Sequence, residues 1–464
     1  MKAHLLATTA MVMISAVAYT ASAQAPTCAQ RQGPPPRADG SPAQQGGRDP
    51  GVPPEAPRVP QGTSNIEVLS HIPLPGMANI EVEQELSRPY AYVSAHRCGY
   101  QIIEFKDPKK AHVLYSWNIE NPELHVGNAL DGRYAKVKGR YLYIQSYEFQ
   151  TSGPDAPLGA SVFDVTSLPD TTRIKETARI YTPEYPRGFH SIYAYKHSNG
   201  ASLLMAALPY VGPYTYIYDL TKLMGGDTTG ALVGKIPRPD TASSASMSAK
   251  YPGYHDFYIH YDVAKGRDLF YGSGLSGYYI FDITDIKNPK LITRIFGVAG
   301  MDVAHTFTPD PTGRYAVTEM EYSSAPLRMF DLKPDGKEEA SLIARPIGAW
   351  TPNYHGEPHN HEVRWPYVFV SGYREGLQVF NMMDPANPYT VGYYRPDGGS
   401  MWGVDVRNVD GLIVASDRTG FWAFHMQGFD GWNGHQWGMP NISSVQDWDN
   451  GPEGVKKAPR VSLR

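Results

Sequence analysis

One short pattern of apolar and polar positions recurs along the middle of the chain. Each copy begins at or near a turn residue and continues with a few strand-forming residues. It ends with two apolar or aromatic residues followed by a polar residue. The copies read GYQIIE, GASVFD, YTYIYD, GYYIFD, PLRMFD, GLQVFN and GFWAFH, and end at Glu104, Asp164, Asp219, Asp282, Asp331, Asn381 and His425. Successive copies end between 44 and 63 residues apart. A period of about 50 residues is the range expected for the blades of a β-propeller.

The segments around each copy predict further strands. Stretches such as RYLYIQSY and PYVFVSG precede the motif, and proline-marked turns such as DITDIKNP lead into another strand. Four short antiparallel strands per unit, repeated seven times, predict an all-β fold, a seven-bladed β-propeller. The last unit supplies only three strands. We therefore expect the N-terminal segment SNIEVLSHIPLP, residues 64–75, to complete the last blade, which removes an open sheet edge.

The N-terminus differs from the repeating region. Lys2 precedes an apolar stretch over residues 5–19, and Ala21-Ser22-Ala23 follows as a small-residue cleavage site. This order predicts a signal peptide over residues 1–23, with a retained anchor as the alternative. We expect a periplasmic or secreted protein without a transmembrane segment in the mature chain.

The remaining chain divides by composition. Residues 24–62 are rich in Pro, Gly, Gln and Arg and predict a disordered tether. The propeller then spans residues 63–427, and residues 428–464 form a C-terminal extension. The two cysteines, Cys28 and Cys98, have no CxxC context, so a disulfide and two unpaired thiols both remain open.

Composition and charge limit the classes of function. The aromatic share of 12%, with 32 Tyr, favours strands, and the net charge of −4 gives no support for nucleic acid as a partner. The sequence lacks the GxSxG and HExxH motifs. GSGLSG at 272–277 fits GxGxxG, but it lies inside a predicted propeller hairpin and does not indicate a phosphate-binding loop. A small-molecule substrate is therefore the expected partner.

Histidines recur at one position near the start of the innermost strand. The segments GFHSI, GYHDF, VAHTF and HNHEV each place a histidine two residues before an apolar residue, in blades three to six. These histidines are His190, His255, His305 and His361, whereas the other blades are aligned with Ile80, Ala135 and Val404 at that position. Because inner strands surround the propeller axis, the four imidazoles are predicted to converge there. Four imidazole nitrogens favour Fe, Cu, Zn or Ni over Ca or Mg.

The alternatives for these histidines are structural. A repeat protein can keep a polar residue that hydrogen-bonds a neighbouring blade, although three blades lack the histidine. His359 shares a strand side with His361, so it is either a further ligand, a substrate contact or a solvated loop residue. Tyr254, Phe189, Trp402 and Tyr354 are predicted to form the wall of a pocket at the same mouth.

Two resemblances follow from these residues. YVFVSGYREGLQVFNMMDPANP and LFYGSGLSGYYIFDITDIKNP resemble the LVIVD-repeat family of secreted bacterial β-propellers, over most of residues 64–426. That resemblance implies the fold but no reaction. The four-histidine arrangement is similar in architecture to the iron centre of carotenoid-cleaving oxygenases and, more loosely, to the histidine-rich site of the selenium-binding protein/methanethiol oxidase family. By analogy with the oxygenases, Glu319 and Glu321 are expected to hold the outer nitrogens of the ligand histidines.

The sequence therefore predicts an exported metalloprotein with a four-histidine centre at the propeller axis. Fe(II) is the favoured ion, with Cu and Zn as alternatives, and the expected activity is that of an oxidoreductase or oxygenase acting on a small organic substrate. A non-enzymatic LVIVD-repeat scaffold for binding or adhesion is the second hypothesis. A metal-dependent, lactonase-like hydrolase is the third.

Overall fold

Seven sheets follow one another along the chain in the computed structural model, and together they form a seven-bladed β-propeller. The structure describes residues 61–432 and 448–449, apart from 75, 96–98, 121–126, 150–156, 210, 240–251, 275, 337–338 and 354–355. The predicted signal peptide, nearly all of the predicted tether and both cysteines lie outside these residues.

The first three blades each contain four antiparallel strands. Blade one consists of β2 (Met77–Val82), β3 (Tyr90–Ala95), β4 (Gly99–Glu104) and β5 (His112–Asn118). Blade two consists of β6 (Gly127–Val137), β7 (Arg140–Phe149), β8 (Leu158–Asp164) and β9 (Lys175–Tyr181). Blade three consists of β10 (Ser191–Lys196), β11 (Ser202–Ala207), β12 (Tyr214–Asp219) and β13 (Leu232–Pro237), with the short helix α1 (Leu220–Met224) after β12.

Blades four to six continue the pattern with small additions. Blade four consists of β14 (Phe257–Asp262), β15 (Arg267–Ser273), β16 (Tyr278–Asp282) and β17 (Lys290–Ile295), and β21 (Leu342–Ile343) joins it in parallel with β17. Blade five consists of β18 (Ala304–Pro309), β19 (Tyr315–Met320), β20 (Leu327–Asp331) and β22 (Gly348–Trp350). Blade six consists of β23 (Pro358–Arg364), β24 (Tyr367–Gly372), β25 (Gly376–Asn381) and β26 (Tyr389–Tyr394).

The N-terminal strand closes the ring, as predicted. Blade seven combines β27 (Met401–Val406), β28 (Ile413–Asp417) and β29 (Gly420–Met426) with β1 (Ile66–Pro73) from the other end of the propeller. β1 pairs antiparallel with β29, from Ile66 opposite Met426 to Pro73 opposite Gly420. His71 also stacks on Trp422, with ring centroids 3.8 Å apart. The last blade therefore holds both ends of the propeller together.

The polar residue at the end of the repeat motif has a local structural role. Asp164, Asp219, Asp282, Asp331 and Asn381 end the third strand of their blades. In each case a side-chain oxygen accepts a hydrogen bond from the backbone N–H two residues further on, at 2.8–3.0 Å. In such a turn the side chain pairs a backbone N–H that lies just beyond the end of the strand. The repeat is therefore visible in the sequence because five of the seven blades use the same turn.

The core lies between neighbouring blades. Phe307 of blade five packs against Tyr271 and Tyr278 of blade four, with ring centroids 5.1 and 5.2 Å apart. Tyr92 of blade one stacks on Tyr143 of blade two at 4.5 Å. Within the described residues, no helix has the length and apolar character needed to cross a membrane.

Candidate metal centre at the propeller axis

A β-bulge near the start of the innermost strands sets the geometry of the candidate site. In blade five Ala304 pairs with Met320, but the next pair is Phe307 with Thr318. One more residue therefore lies on the inner strand than on its partner. Corresponding register shifts occur in β2, β6, β23 and β27. A bulge bends the strand and re-aims a side chain.

Each bulge places two residues of the inner strand opposite one residue of the second strand, and we call them the first and second bulge positions. The first bulge position is occupied by histidine in four consecutive blades. In blade three the backbone N–H of His190 donates to the carbonyl of Ala207, and in blade four that of His255 donates to the carbonyl of Ser273. These bonds place both histidines at the first bulge position. The strand pairings place the remaining blades. In blade order the residues are Ala78, Leu130, His190, His255, His305, His359 and Trp402.

These four histidines form a continuous row of imidazoles. The ring centroids of His190 and His255 are 4.2 Å apart, and those of His255 and His305 are 4.3 Å apart. His359 follows, with its centroid 4.7 Å from that of His305. The structure therefore brings together three residues of the predicted ligand set, and His359 stands beside them.

His361 lies two residues further along the strand. It pairs with Val370, as Phe307 pairs with Thr318 in blade five, so it occupies a position that is apolar in most blades. Its Nδ1 atom lies 3.0 Å from Oε2 of Glu319, and its side chain is fully buried. The assignment of His361 as a ligand stays a prediction.

A carboxylate faces the middle of the imidazole row. Oε2 of Glu321 lies 3.8 Å from Nε2 of both His255 and His305. Among the described residues, these three form the one group of at least three His, Cys, Asp or Glu whose ligand atoms lie within 4.8 Å of one another. The Glu321 backbone N–H donates to the carbonyl of Val303, which has a φ of +50°. A positive φ is strained for a β-branched residue, and such strain is found preferentially at functional sites.

A second carboxylate, Asp256, lies at the second bulge position. Its Oδ2 atom is 3.0 Å from Nδ1 of His255 and 3.2 Å from Nε2 of His305. Its Oδ1 atom accepts a hydrogen bond from Ser191. Sequence reasoning missed Asp256. The signal was available, because the second bulge position is polar in six blades and glycine in the seventh: Asn79, Asp131, Ser191, Asp256, Thr306, Asn360 and Gly403.

Further groups hold the outer Nδ1 atoms of the imidazoles. Nδ1 of His190 lies 2.6 Å from Oε2 of Glu148, and Nδ1 of His359 donates to the carbonyl of Trp402 at 2.6 Å. Nδ1 of His305 is 3.0 Å from the Thr306 hydroxyl, and Nδ1 of His361 is 3.0 Å from Oε2 of Glu319. Oε1 of Glu319 lies 3.7 Å from His305 Nδ1. A hydrogen bond at Nδ1 leaves the lone pair on Nε2, the form in which imidazole binds metals.

Burial sets the charge of most of these groups. It lowers the pKa of His359 and His361, the latter to about 3, and lowers that of His305 well below its usual value, so these imidazoles are neutral near pH 7. Burial opposes protonation of His190 as well, but the Glu148 carboxylate raises the pKa of that imidazole to about 9. Burial, with the charges of Asp256 and Glu321, raises the pKa of Glu319 well above its usual value.

Several buried polar atoms at this site have no hydrogen-bond partner among the described residues. They are Nε2 of His305, Nε2 of His361 and Oε1 of Glu319. Asp256 is close to His305 Nε2, but the two atoms are out of line for a hydrogen bond. A buried polar atom without a partner costs about 1–3 kcal/mol. A bound cation would satisfy the lone pair of His305, and an imidazole and carboxylate donor set suits Fe, Zn, Cu or Ni.

The predicted pocket residues lie in different environments. Tyr254 is buried against Phe270, with centroids 5.1 Å apart, and its hydroxyl donates to the carbonyl of Pro237. Phe189 is fully buried in a core cluster. Trp402 lies beside His359, with ring centroids 4.7 Å apart. Tyr354 lies outside the described residues.

Comparison with solved structures finds the same fold. The chain is similar to the crystal structure of Chaetomium thermophilum Raptor, with a TM-score of 0.50 and 10% sequence identity over 77% of this chain. The match spans only 29% of the Raptor chain. At this identity the likeness shows the fold alone. No protein-family model and no curated protein matches the chain.

Proposed function

We propose that the chain is an exported metalloprotein of the LVIVD-repeat propeller family that oxidises a small organic substrate at the propeller axis. The observation that carries the proposal is the group formed by His255, His305 and Glu321, which lies in the middle of the row of imidazoles. Its location in the periplasm or outside the cell rests on the predicted signal peptide. Fe(II) is the favoured ion and Cu the alternative, whereas Zn, which is not redox-active, would fit the hydrolase considered below.

The roles of the residues follow from their positions. His255, His305 and Glu321 hold the ion, and His190 and His359 flank them at van der Waals distance. The bound ion supplies the capacity to exchange electrons and to polarise a bound oxygen species. Glu148 and the Trp402 carbonyl orient the flanking imidazoles. These second contacts restrict the rings to one tautomer and one orientation.

The first bulge positions of the seven blades form a ring around the propeller axis. The side of this ring that faces the histidines favours an apolar or aromatic substrate. At the first bulge position blades one, two and seven carry Ala78, Leu130 and Trp402 instead of histidine. Ala78 and Leu130 are buried and apolar. A ring with imidazoles on one side and apolar side chains on the other favours an organic molecule over a hydrated ion.

Metal-dependent hydrolysis is the second candidate, and Asp256 favours it. A carboxylate close to the ligand atoms is placed to take a proton from a metal-bound water. Zn would then be the native ion and no dioxygen would be consumed. A non-enzymatic scaffold would need neither the ion nor the orienting carboxylates.

Metal analysis of protein purified without a His-tag tests the proposal. We expect about one Fe or Cu per chain in the wild type, and loss of that metal in His255→Ala and in His305→Ala. His425→Ala is the matched control, because His425 is partly exposed in β29, away from the inner strands. A metal-free wild type of normal stability would refute the metal centre. One Zn per chain with no dioxygen uptake would favour the hydrolase.

A further inference from the structure

Tyr373 joins the carboxylate of the candidate metal centre to its imidazoles. The Tyr373 hydroxyl donates a hydrogen bond to Oε1 of Glu321 at 2.6 Å. Its ring centroid lies 4.9 Å from that of His359 and 5.5 Å from that of Trp402. Tyr373 therefore contacts two candidate ligands. Its hydroxyl donates a hydrogen bond to Glu321, and its ring packs against that of His359.

The two oxygens of Glu321 have different neighbours. Oε2 faces Nε2 of His255 and His305, whereas Oε1 accepts the hydrogen bond from Tyr373. The Tyr373 phenol therefore has a proton acceptor already in place. A neutral phenol loses an electron readily when its proton can leave in the same step along an existing hydrogen bond.

We propose that Tyr373 is a redox-active residue of this site. The inference rests on the proposed function, because it requires a redox-active ion beside Glu321 and His359. Dioxygen or a peroxide would be the oxidant, and Tyr373 would give one electron to an ion oxidised by it. The phenolic proton moves to Oε1 of Glu321.

The products of this step balance in charge and electrons. They are the ion in its lower oxidation state, a neutral tyrosyl radical at position 373 and a protonated Glu321. The radical returns to the phenol by taking one hydrogen atom from the organic substrate, and Glu321 then releases its proton to the oxidant. Each substrate molecule loses two hydrogen atoms in two such cycles, and the oxidant is reduced to water, in two cycles for a peroxide and in four for dioxygen. Trp402 packs on both Tyr373 and His359 and shields the radical on that side.

Tyr322 provides a matched control. It is the residue after Glu321, but its side chain is 58% exposed. Removal of the hydroxyl from either tyrosine is the same chemical change, made inside the site in one case and outside it in the other. The experiment compares the wild type with Tyr373→Phe and Tyr322→Phe.

The test is freeze-quench electron paramagnetic resonance of the full chain after loading with Fe(II) and mixing with hydrogen peroxide. Iron content is measured first in every sample. We expect a tyrosyl signal in the wild type and in Tyr322→Phe, and its loss in Tyr373→Phe at unchanged iron content. If Tyr373→Phe binds less iron, 3,5-difluorotyrosine at position 373 replaces it, and fluorine splitting of the signal is then expected.

Two results would overturn the inference while leaving the metal centre intact. One is an iron-loaded wild type without a tyrosyl signal. The other is a signal that persists in Tyr373→Phe, or that lacks fluorine splitting in the substituted protein. A wild type that binds no iron would instead refute the proposed function, and this inference with it.

Discussion

At the scale of single residues, the candidate site depends on which histidine of HNHEV reaches the axis. His359 lies in the bulge, and its ring is next to that of His305. His361 is separated from His305 by Glu319, which contacts both Nδ1 atoms. The two residues are chemically identical and differ only in strand position. Their substitution therefore separates a role in binding the ion from a role in orienting a ligand.

We expect His359→Ala and His361→Ala to affect metal binding differently. His359→Ala removes an imidazole that flanks the ion, so the bound metal should fall below stoichiometric amounts. His361→Ala removes only an outer contact, for which a loss of about 10–100-fold in affinity at unchanged stoichiometry is typical. Titration of metal-free protein with Fe(II) or Zn(II) under a competing chelator measures both quantities. The opposite ranking of the two variants would restore His361 as the ligand of blade six.

At the scale of elements, the strands were predictable but the bulge was not. The motif ends, the period and the closure by β1 are visible because apolar alternation and turn residues recur in every blade. The histidine alignment counted back from an apolar residue, and His361 occupies the position that is apolar in most other blades. In blade six the residue equivalent to His305 is therefore His359, two residues before the predicted His361. The first bulge position has no residue type of its own, so the bulge shows only in the polar residue that follows it and in the pairing with the second strand.

The second strand supplied a better reference point than the first. Opposite the bulge it carries Ser94, Ser146, Ala207, Ser273, Glu319, Ser371 and Ser416. These residues are small in every blade except blade five. The exception is Glu319, which lies between His305 and His361. The sequence therefore contains the register, but in the second strand and not in the strand that carries the histidines.

Two glycines with the same backbone conformation test how closely blade six packs. Gly376 begins β25 and Gly398 lies in the turn before β27, and both have φ +67°. A Cβ at Gly376 would overlap the carbonyl oxygen of Tyr394, whereas a Cβ at Gly398 would meet no atom within 4 Å. We expect Gly398→Ala to lower the free energy of unfolding by about 1 kcal/mol, the conformational cost alone. Gly376→Ala should cost about 3 kcal/mol or more, because overpacking adds to that cost.

Urea unfolding followed by tryptophan fluorescence measures both variants. Equal losses would mean that blade six relaxes around the added methyl group.

At the scale of the whole molecule, the axis carries a second ring of residues three positions beyond the histidine row. Its members, in blade order, are Glu81, Arg133, Tyr193, Tyr258, Thr308, Glu362 and Asp405. Arg133 pairs with Glu81 at 3.1 Å, and the Tyr258 hydroxyl donates to Glu362 across the intervening blade at 3.0 Å. Oδ2 of Asp405 accepts the backbone N–H of Val82, which links blade seven to blade one beside the ring closure. The first and third of these interactions join adjacent blades, and the Tyr258–Glu362 hydrogen bond joins blades four and six past blade five.

This second ring contains more carboxylates than it can keep ionised. Burial, then the charges of Asp405 and Glu362, raises the pKa of Glu81 to about 8 despite the neighbouring Arg133. The usual pKa of glutamate in an unfolded chain is about 4.3. Between these values the folded protein keeps a proton that the unfolded chain releases. The contribution of Glu81 to stability therefore falls as the pH rises from 5 to 8.

Glu81→Gln removes this proton. Burial and the charge of Glu362 also raise the pKa of Asp405, to about 7, so the difference from the wild type reports on the two carboxylates together. We expect the free energy of unfolding of the wild type, minus that of Glu81→Gln, to fall between pH 5 and pH 8, with a slope approaching about 1.4 kcal/mol per pH unit. Glu339 is the control, because its hydrogen bonds to Lys265 and Arg267 outweigh the effect of burial and lower its pKa to about 2. The corresponding difference for Glu339→Gln should stay flat over that range. Parallel curves for the wild type and Glu81→Gln would mean that Glu81 is ionised in the folded channel, with Arg133 compensating its charge.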